Sequence, residues 1–109
     1  MTLTSGSINP DVGNVHSITP LMYGARYDNL EVCRLLLEHS ANTDLQDKYG
    51  MTALMVAATY GHTDVVDKLL EAGANTALKD HNDKTALDIA HDRKQGKIAK
   101  KLRRTAKRE

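Results

Sequence analysis

Between residues 54 and 70 the apolar positions fall into two helical stripes, not into the strict alternation of a strand. Leu54, Ala57 and Ala58 recur at helical spacing, Gly61 interrupts them, and Val65, Val66, Leu69 and Leu70 form a second stripe. The small side chains of the first helix suit a backbone that approaches its neighbours closely. The branched side chains of the second supply most of the buried area. Gly73 then closes the second helix, where a residue without Cβ takes the left-handed C-terminal conformation freely. Residues 75–84 carry no stripe, and Asp80, Asn82 and Asp83 mark them as an extended, turn-rich loop.

This pattern occurs three times. "ITPLMYGARYDNLEVCRLLLEHSAN", "MTALMVAATYGHTDVVDKLLEAGAN" and "KTALDIAHDRKQGKIAKKLRR" align without gaps, and their threonines Thr19, Thr52 and Thr85 are 33 residues apart. Each threonine stands just before an apolar run, where its hydroxyl accepts a hydrogen bond from a free amide of the first helical turn. The expectation is three helix-turn-helix units.

The second unit, "DKYGMTALMVAATYGHTDVVDKLLEAGAN", closely resembles the ankyrin repeat. Asp47, Gly50, Thr52, Leu54, Ala57, Ala58, Gly61, His62, Val65, Val66, Leu69, Leu70, Gly73 and Ala74 all match that pattern in register. The resemblance spans residues 7–104 and implies an all-α ankyrin-repeat solenoid of stacked helix pairs with projecting hairpin fingers. The units divide as a partial repeat (1–13), repeat 1 (14–46), repeat 2 (47–79), a C-terminal capping repeat (80–104) and a basic tail (105–109). The family's proline survives only as Pro20, being Ala53 and Ala86 elsewhere, and its usual histidine is Met22, Met55 and Asp88. These departures put some hydrogen bonding of the inner helices in question. Repeat 1 has Asp28 and Asn29 in place of Gly61 and His62, a change that a tight turn tolerates because Asn accepts left-handed dihedrals. The third unit trades apolar outer positions for polar ones, as the end of a solenoid does.

One architecture hosts many roles, so function is read from the surface. The resemblance implies a protein-binding module that grips a partner by its hairpin tips and the exposed face of its first helices. Carried over, this places Val15, His16 and Ile18 on the first finger, Lys48, Tyr49 and Met51 on the second, and His81, Asn82 and Lys84 on the third. The inner helices add Arg26, Tyr27, Thr59, Tyr60, Asp92 and Arg93. Tyr27, Tyr49 and Tyr60, three of the four tyrosines of a chain without Phe or Trp, share this face. Tyr and Arg are the residues most often found as binding hot spots.

Charge adds a second signal. Residues 1–91 hold 6 Lys and Arg against 12 Asp and Glu, whereas residues 92–109 hold 9 against 2, so a net charge of +1 hides a strongly polar molecule. Lys100, Lys101, Arg103, Arg104, Lys107 and Arg108 follow one another with Ile98, Leu102 and Ala106 on one helical side. Ile98 and Leu102 dock a cap helix, and the remainder suits nuclear localisation or attraction to nucleic acid, anionic lipid or an acidic protein. Nucleic acid as the main ligand is disfavoured, because 12 of the 14 acids lie in the repeat body.

Catalysis finds little footing. His16, His39, His62, His81 and His91 are scattered without metal-ligand spacing, and no phosphate loop or nucleophile motif occurs, so neither cofactor nor metal nor enzymatic activity is expected. Cys33, the single cysteine, lies in an apolar helical run and reads as a buried thiol. No apolar run of membrane-spanning length and no secretory signal pattern is present, which suggests the cytoplasm or nucleus.

The first residues complete the register. Asn9 precedes Thr19 by the same interval that separates Asn42 from Thr52 and Asn75 from Thr85, and Leu3 falls opposite Leu36, Leu69 and Leu102. "MTLTSGS" therefore reads as the vestige of a preceding second helix, too short to form one. Either the chain is an excerpt of a longer array, or its first face is covered by a partner or a second copy.

Overall fold

The computed structural model describes residues 11–14 and 16–108. Six helices occur among them: α1 (Pro20–Arg26), α2 (Leu30–Glu38), α3 (Ala53–Tyr60), α4 (Thr63–Glu71), α5 (Ala86–Asp92) and α6 (Gly96–Arg108). No strand is found among the described residues. Val15 and residues 1–10, which hold most of the expected partial repeat (1–13), lie outside them.

Each inner helix starts at the threonine that the repeat predicts. Thr19, Thr52 and Thr85 accept a hydrogen bond from the amides of Met22, Met55 and Asp88 at 3.2–3.3 Å. The return bond of each capping box is also made, from the threonine amide to the Met22 or Met55 sulfur at 3.4 Å and to Asp88 Oδ2 at 3.0 Å. The doubt raised by the missing histidine is thus resolved at these caps, because a thioether or a carboxylate accepts there instead.

The turn between paired helices needs one left-handed residue. Asp28 (φ 58°), Gly61 (φ 73°) and Lys94 (φ 59°) supply it at equivalent positions. This corrects the assignment of left-handed geometry to Asn29, which instead caps α2 by accepting a hydrogen bond from the Val32 amide.

The helices stack in two layers. α1 packs on α3 and α3 on α5, α2 packs on α4 and α4 on α6, and each repeat joins its two helices across the layers. The core follows the sequence stripes: Leu21, Leu54, Met55, Val65, Val66, Leu69, Ile98 and Leu102 are essentially sealed from solvent. Ala57, Ala58 and Ala90 occupy the close-approach positions of the inner layer and are fully buried. In repeat 1 that position is Gly24, and the room it leaves is taken by the sulfur of Cys33.

The last helix carries both the capping repeat and the basic residues after it. α6 runs unbroken to Arg108, so the residues after 104 continue the capping helix. Lys101 is not a free basic side chain, because it is half-buried and its Nζ pairs with Asp67 Oδ1 of α4 at 2.8 Å. Glu109 lies outside the described residues.

Candidate functional site

Three fingers project from the inner layer, and one side chain shapes each of them. The Oδ1 of Asn14, Asp47 or Asp80 accepts two backbone amides: His16 and Ile18 in the first finger, Tyr49 and Met51 in the second, Asn82 and Lys84 in the third. The backbone closes the same loop, with Asn14, Asp47 and Asp80 amides donating to the Ile18, Met51 and Lys84 carbonyls. The tips are therefore held from inside by a short polar side chain acting as an Asx turn.

Neighbouring fingers are also tied together. The Lys48 amide donates to the His16 carbonyl at 3.1 Å and the His81 amide to the Tyr49 carbonyl at 3.0 Å. Gln46 spans the same junction, its Nε2 donating to the carbonyls of Gly50 and Lys79. Gly50 has a φ of 80°, and a Cβ there would stand 2.8 Å from the His81 nitrogen and 3.0 Å from the Asp80 Cα. Only glycine permits that approach.

Between the first two fingers and helices α1 and α3 lies a cleft of about 400 Å³. It is lined by the buried or half-buried Met22, Met51 and Val56 and by the exposed Tyr23, Tyr27, Tyr49 and Tyr60, with Arg26 among them. All four tyrosines of the chain, hence all its Phe, Tyr and Trp side chains, are here. They are 42, 67, 59 and 44% exposed in sequence order, far more than a tyrosine held in a core.

The cations of this region are ordered by the rings. The Arg26 guanidinium lies 5.5 Å from the centre of Tyr27 and 5.1 Å from that of Tyr60, and Lys48 Nζ lies 5.0 Å from the centre of Tyr49. His62 stacks on Tyr60 at 6.2 Å, and its Nε2–H donates to the Arg26 carbonyl at 3.0 Å. A carbonyl only accepts, so this contact fixes the proton on Nε2. His62 thus ties the end of α1 to the turn after α3.

The residues singled out in the sequence divide accordingly. Ile18, Arg26, Tyr27, Tyr49, Met51, Thr59 and Tyr60 line the cleft. His16 and Lys48 sit on the adjoining fingers. His81, Asn82 and Lys84 on the third finger and Arg93 after α5 are not part of it. Lys84 is engaged by Asp92, whose hydrogen bond and charge hold the Lys84 pKa above its ordinary value. The Thr59 hydroxyl is spent locally, donating to the Met55 carbonyl at 2.9 Å. Of the basic residues on α6, Lys97, Lys100, Arg103 and Arg104 are exposed. An Arg103 guanidinium nitrogen stands 3.2 Å from His91 Nε2.

Sequence reasoning missed Tyr23, Met22, Val56 and the Asn14 side chain. Tyr23 shares its repeat position with Val56 and the buried Ile89, so periodicity assigns it to the core. Its hydroxyl accepts a hydrogen bond from Asn14 Nδ2 at 2.9 Å, which draws it toward the first finger. The legible signal was compositional, since the fourth tyrosine belongs with the other three.

Among the described residues, no three His, Cys, Asp or Glu side chains converge as a metal site, and no helix is long and apolar enough to cross a membrane. The geometry defines a class: a solenoid of stacked helix pairs with projecting fingers and a cleft beside them. The family model for ankyrin repeats (3 copies) matches residues 3–80 and 21–107, and the chain belongs to the ankyrin-repeat family. Domains of this family are generally protein–protein interaction modules and are typically non-enzymatic. No curated protein matches the chain.

Proposed function

We propose that this protein is a non-enzymatic adaptor, scaffold or inhibitor that captures a partner protein across the first two fingers and the tyrosine-lined cleft. The observation that carries this reading is the gathering of every aromatic side chain at one exposed cleft beside Arg26. Tyrosine offers large contact area at small cost in side-chain entropy, and paired with arginine it makes the commonest hot-spot chemistry. Affinity capture from the native cell extract, comparing the intact chain with a Tyr27→Ala, Tyr49→Ala, Tyr60→Ala variant, tests it. Proteins retained by the intact chain are expected to be lost from the variant while its thermal unfolding stays nearly unchanged. Undiminished capture by the variant contradicts the reading.

A second reading rests on α6. Seven of its 13 residues are Lys or Arg and none is acidic. The exposed Lys97, Lys100, Arg103 and Arg104 suit a nuclear import factor, nucleic acid or an anionic surface, and so a protein shared between cytoplasm and nucleus. Filter binding of duplex DNA over a salt series checks it, since contacts to phosphate give a steep slope and their absence gives no retention.

Self-association is a third contact of the same kind. Val32 and Leu35 on α2 are 37 and 45% exposed, whereas Val65, the repeat equivalent of Val32, is buried. Concentration-dependent sedimentation, abolished by Leu35→Lys, is the expected result if two copies meet through this face.

A further inference from the structure

The cations of the repeat body carry an uneven distribution of partners. Residues 1–91 contain six Lys and Arg among twelve Asp and Glu, so a basic side chain there rarely lacks an acid within reach. Four of the six have one: Arg34 pairs with Glu31 and Glu38, Lys68 with Glu71, Lys79 with Asp83, and Lys84 with Asp92. The other two are Arg26 and Lys48, which have no acidic partner among the described residues. Both stand over tyrosines of the cleft. Arg26 is also held from behind, since its carbonyl is bound by His62 and its guanidinium lies near two rings. Its five N–H donors are left for something outside the chain.

Resting on the docking role proposed above, we infer that the cleft recognises an acidic, aliphatic peptide segment of the partner protein. An aliphatic side chain seats on Met22, Met51 and Val56, and an aspartate or glutamate carboxylate is received by Arg26. Lys48 favours further acidic residues along the second finger. A guanidinium flanked by aromatic rings is weakly hydrated and pairs with a planar carboxylate in a fork geometry, so charge complementarity selects the ligand. The monoanion is favoured over a phosphate dianion by two features: Asp47 lines the same cleft, and the repeat body carries twice as many acids as bases. Basic segments find no anionic counterpart in the cleft beyond Asp47, whose Oδ1 already accepts two backbone amides.

The test selects a phage-displayed random dodecapeptide library on the intact chain, then measures the best peptide by fluorescence anisotropy. Its analogue with the acidic residue replaced by the matching amide, and a phosphoserine analogue, are measured beside it. The selected peptides are expected to combine an acidic with an aliphatic residue. The amide analogue is expected to bind about tenfold more weakly or worse, the scale of one lost charge-assisted hydrogen bond. Arg26→Gln is expected to lose the same factor toward the acidic peptide and almost nothing toward the amide analogue, with Arg26→Lys between them. Unchanged circular dichroism shows that Arg26→Gln is folded. Equal affinity for acid and amide, tighter binding of the phosphoserine analogue, or selection of basic peptides overturns the inference. If peptides bind with this indifference to charge yet are lost from the triple tyrosine variant, the docking role survives without it. If no selected peptide depends on the tyrosines, the docking role itself fails and the inference falls with it.

Discussion

Cys33 illustrates how much a single position depends on its surroundings. Its thiol is buried against Gly24, and burial, with Asp28 adding to it, pushes its pKa up to about 11. The thiolate is the nucleophile, so the native protein at pH 8 is expected to react with iodoacetamide far more slowly than the urea-unfolded chain. Equal rates contradict the burial. Gly50 makes the opposite case, a residue needed for what it lacks. Gly50→Ala is expected to cost about 2 kcal/mol or more in urea unfolding, because a left-handed alanine is strained and its methyl group meets the backbone of the next finger. Burial of Cys33 was legible from its helical stripe. The clash at Gly50 was not, since it arises between segments some thirty residues apart, and a repeat pattern names the glycine without the neighbour that requires it.

Among elements, the helix starts were the most legible part of the chain and the finger interiors the least. Three threonines at a fixed period announced α1, α3 and α5, and each makes a complete capping box. What the pattern hid was the identity of the second acceptor, because a methionine sulfur is not ordinarily read as a cap. Thr52→Ala is expected to lower unfolding stability by about 1 kcal/mol, as loss of a helix cap does. The cap of α5 adds a dependence on pH. The Thr85 amide holds the Asp88 carboxyl below its ordinary value, so the folded state binds that proton less readily than the unfolded state. Its stabilisation is full above the unfolded aspartate pKa and fades as pH falls through it toward the lowered value. The stability difference between the wild type and Asp88→Asn is therefore expected to shrink as pH falls from neutrality to 3, whereas a constant difference contradicts the assigned cap. In the fingers the sequence pattern points to the tips, but the cleft beside them depends on how α1 and α3 stack. The ankyrin resemblance put Tyr27, Tyr49 and Tyr60 on the finger-bearing face, while Tyr23 was concealed by repeat partners that are apolar and half-buried or buried.

At the scale of the molecule, two layers of helices share one apolar core through all three repeats. Leu69 is sealed within it at the repeat position of Leu36 and Leu102, and Leu69→Ala is expected to cost about 2–5 kcal/mol by leaving a cavity, read as a lower urea midpoint. The charge asymmetry belongs to this scale as well. An acidic body carries a basic last helix, so long-range attraction differs between the two and falls with salt. Mapping a partner recovered by the intact chain onto isotope-labelled protein by amide chemical-shift perturbation tests the central claim most directly. Shifts are expected to concentrate at residues 18, 23, 26, 27, 49, 51 and 60 and to spare Glu31, Lys68 and Glu71 on the outer helices. Shifts centred on α6 or on the outer layer, with the cleft unperturbed, contradict it.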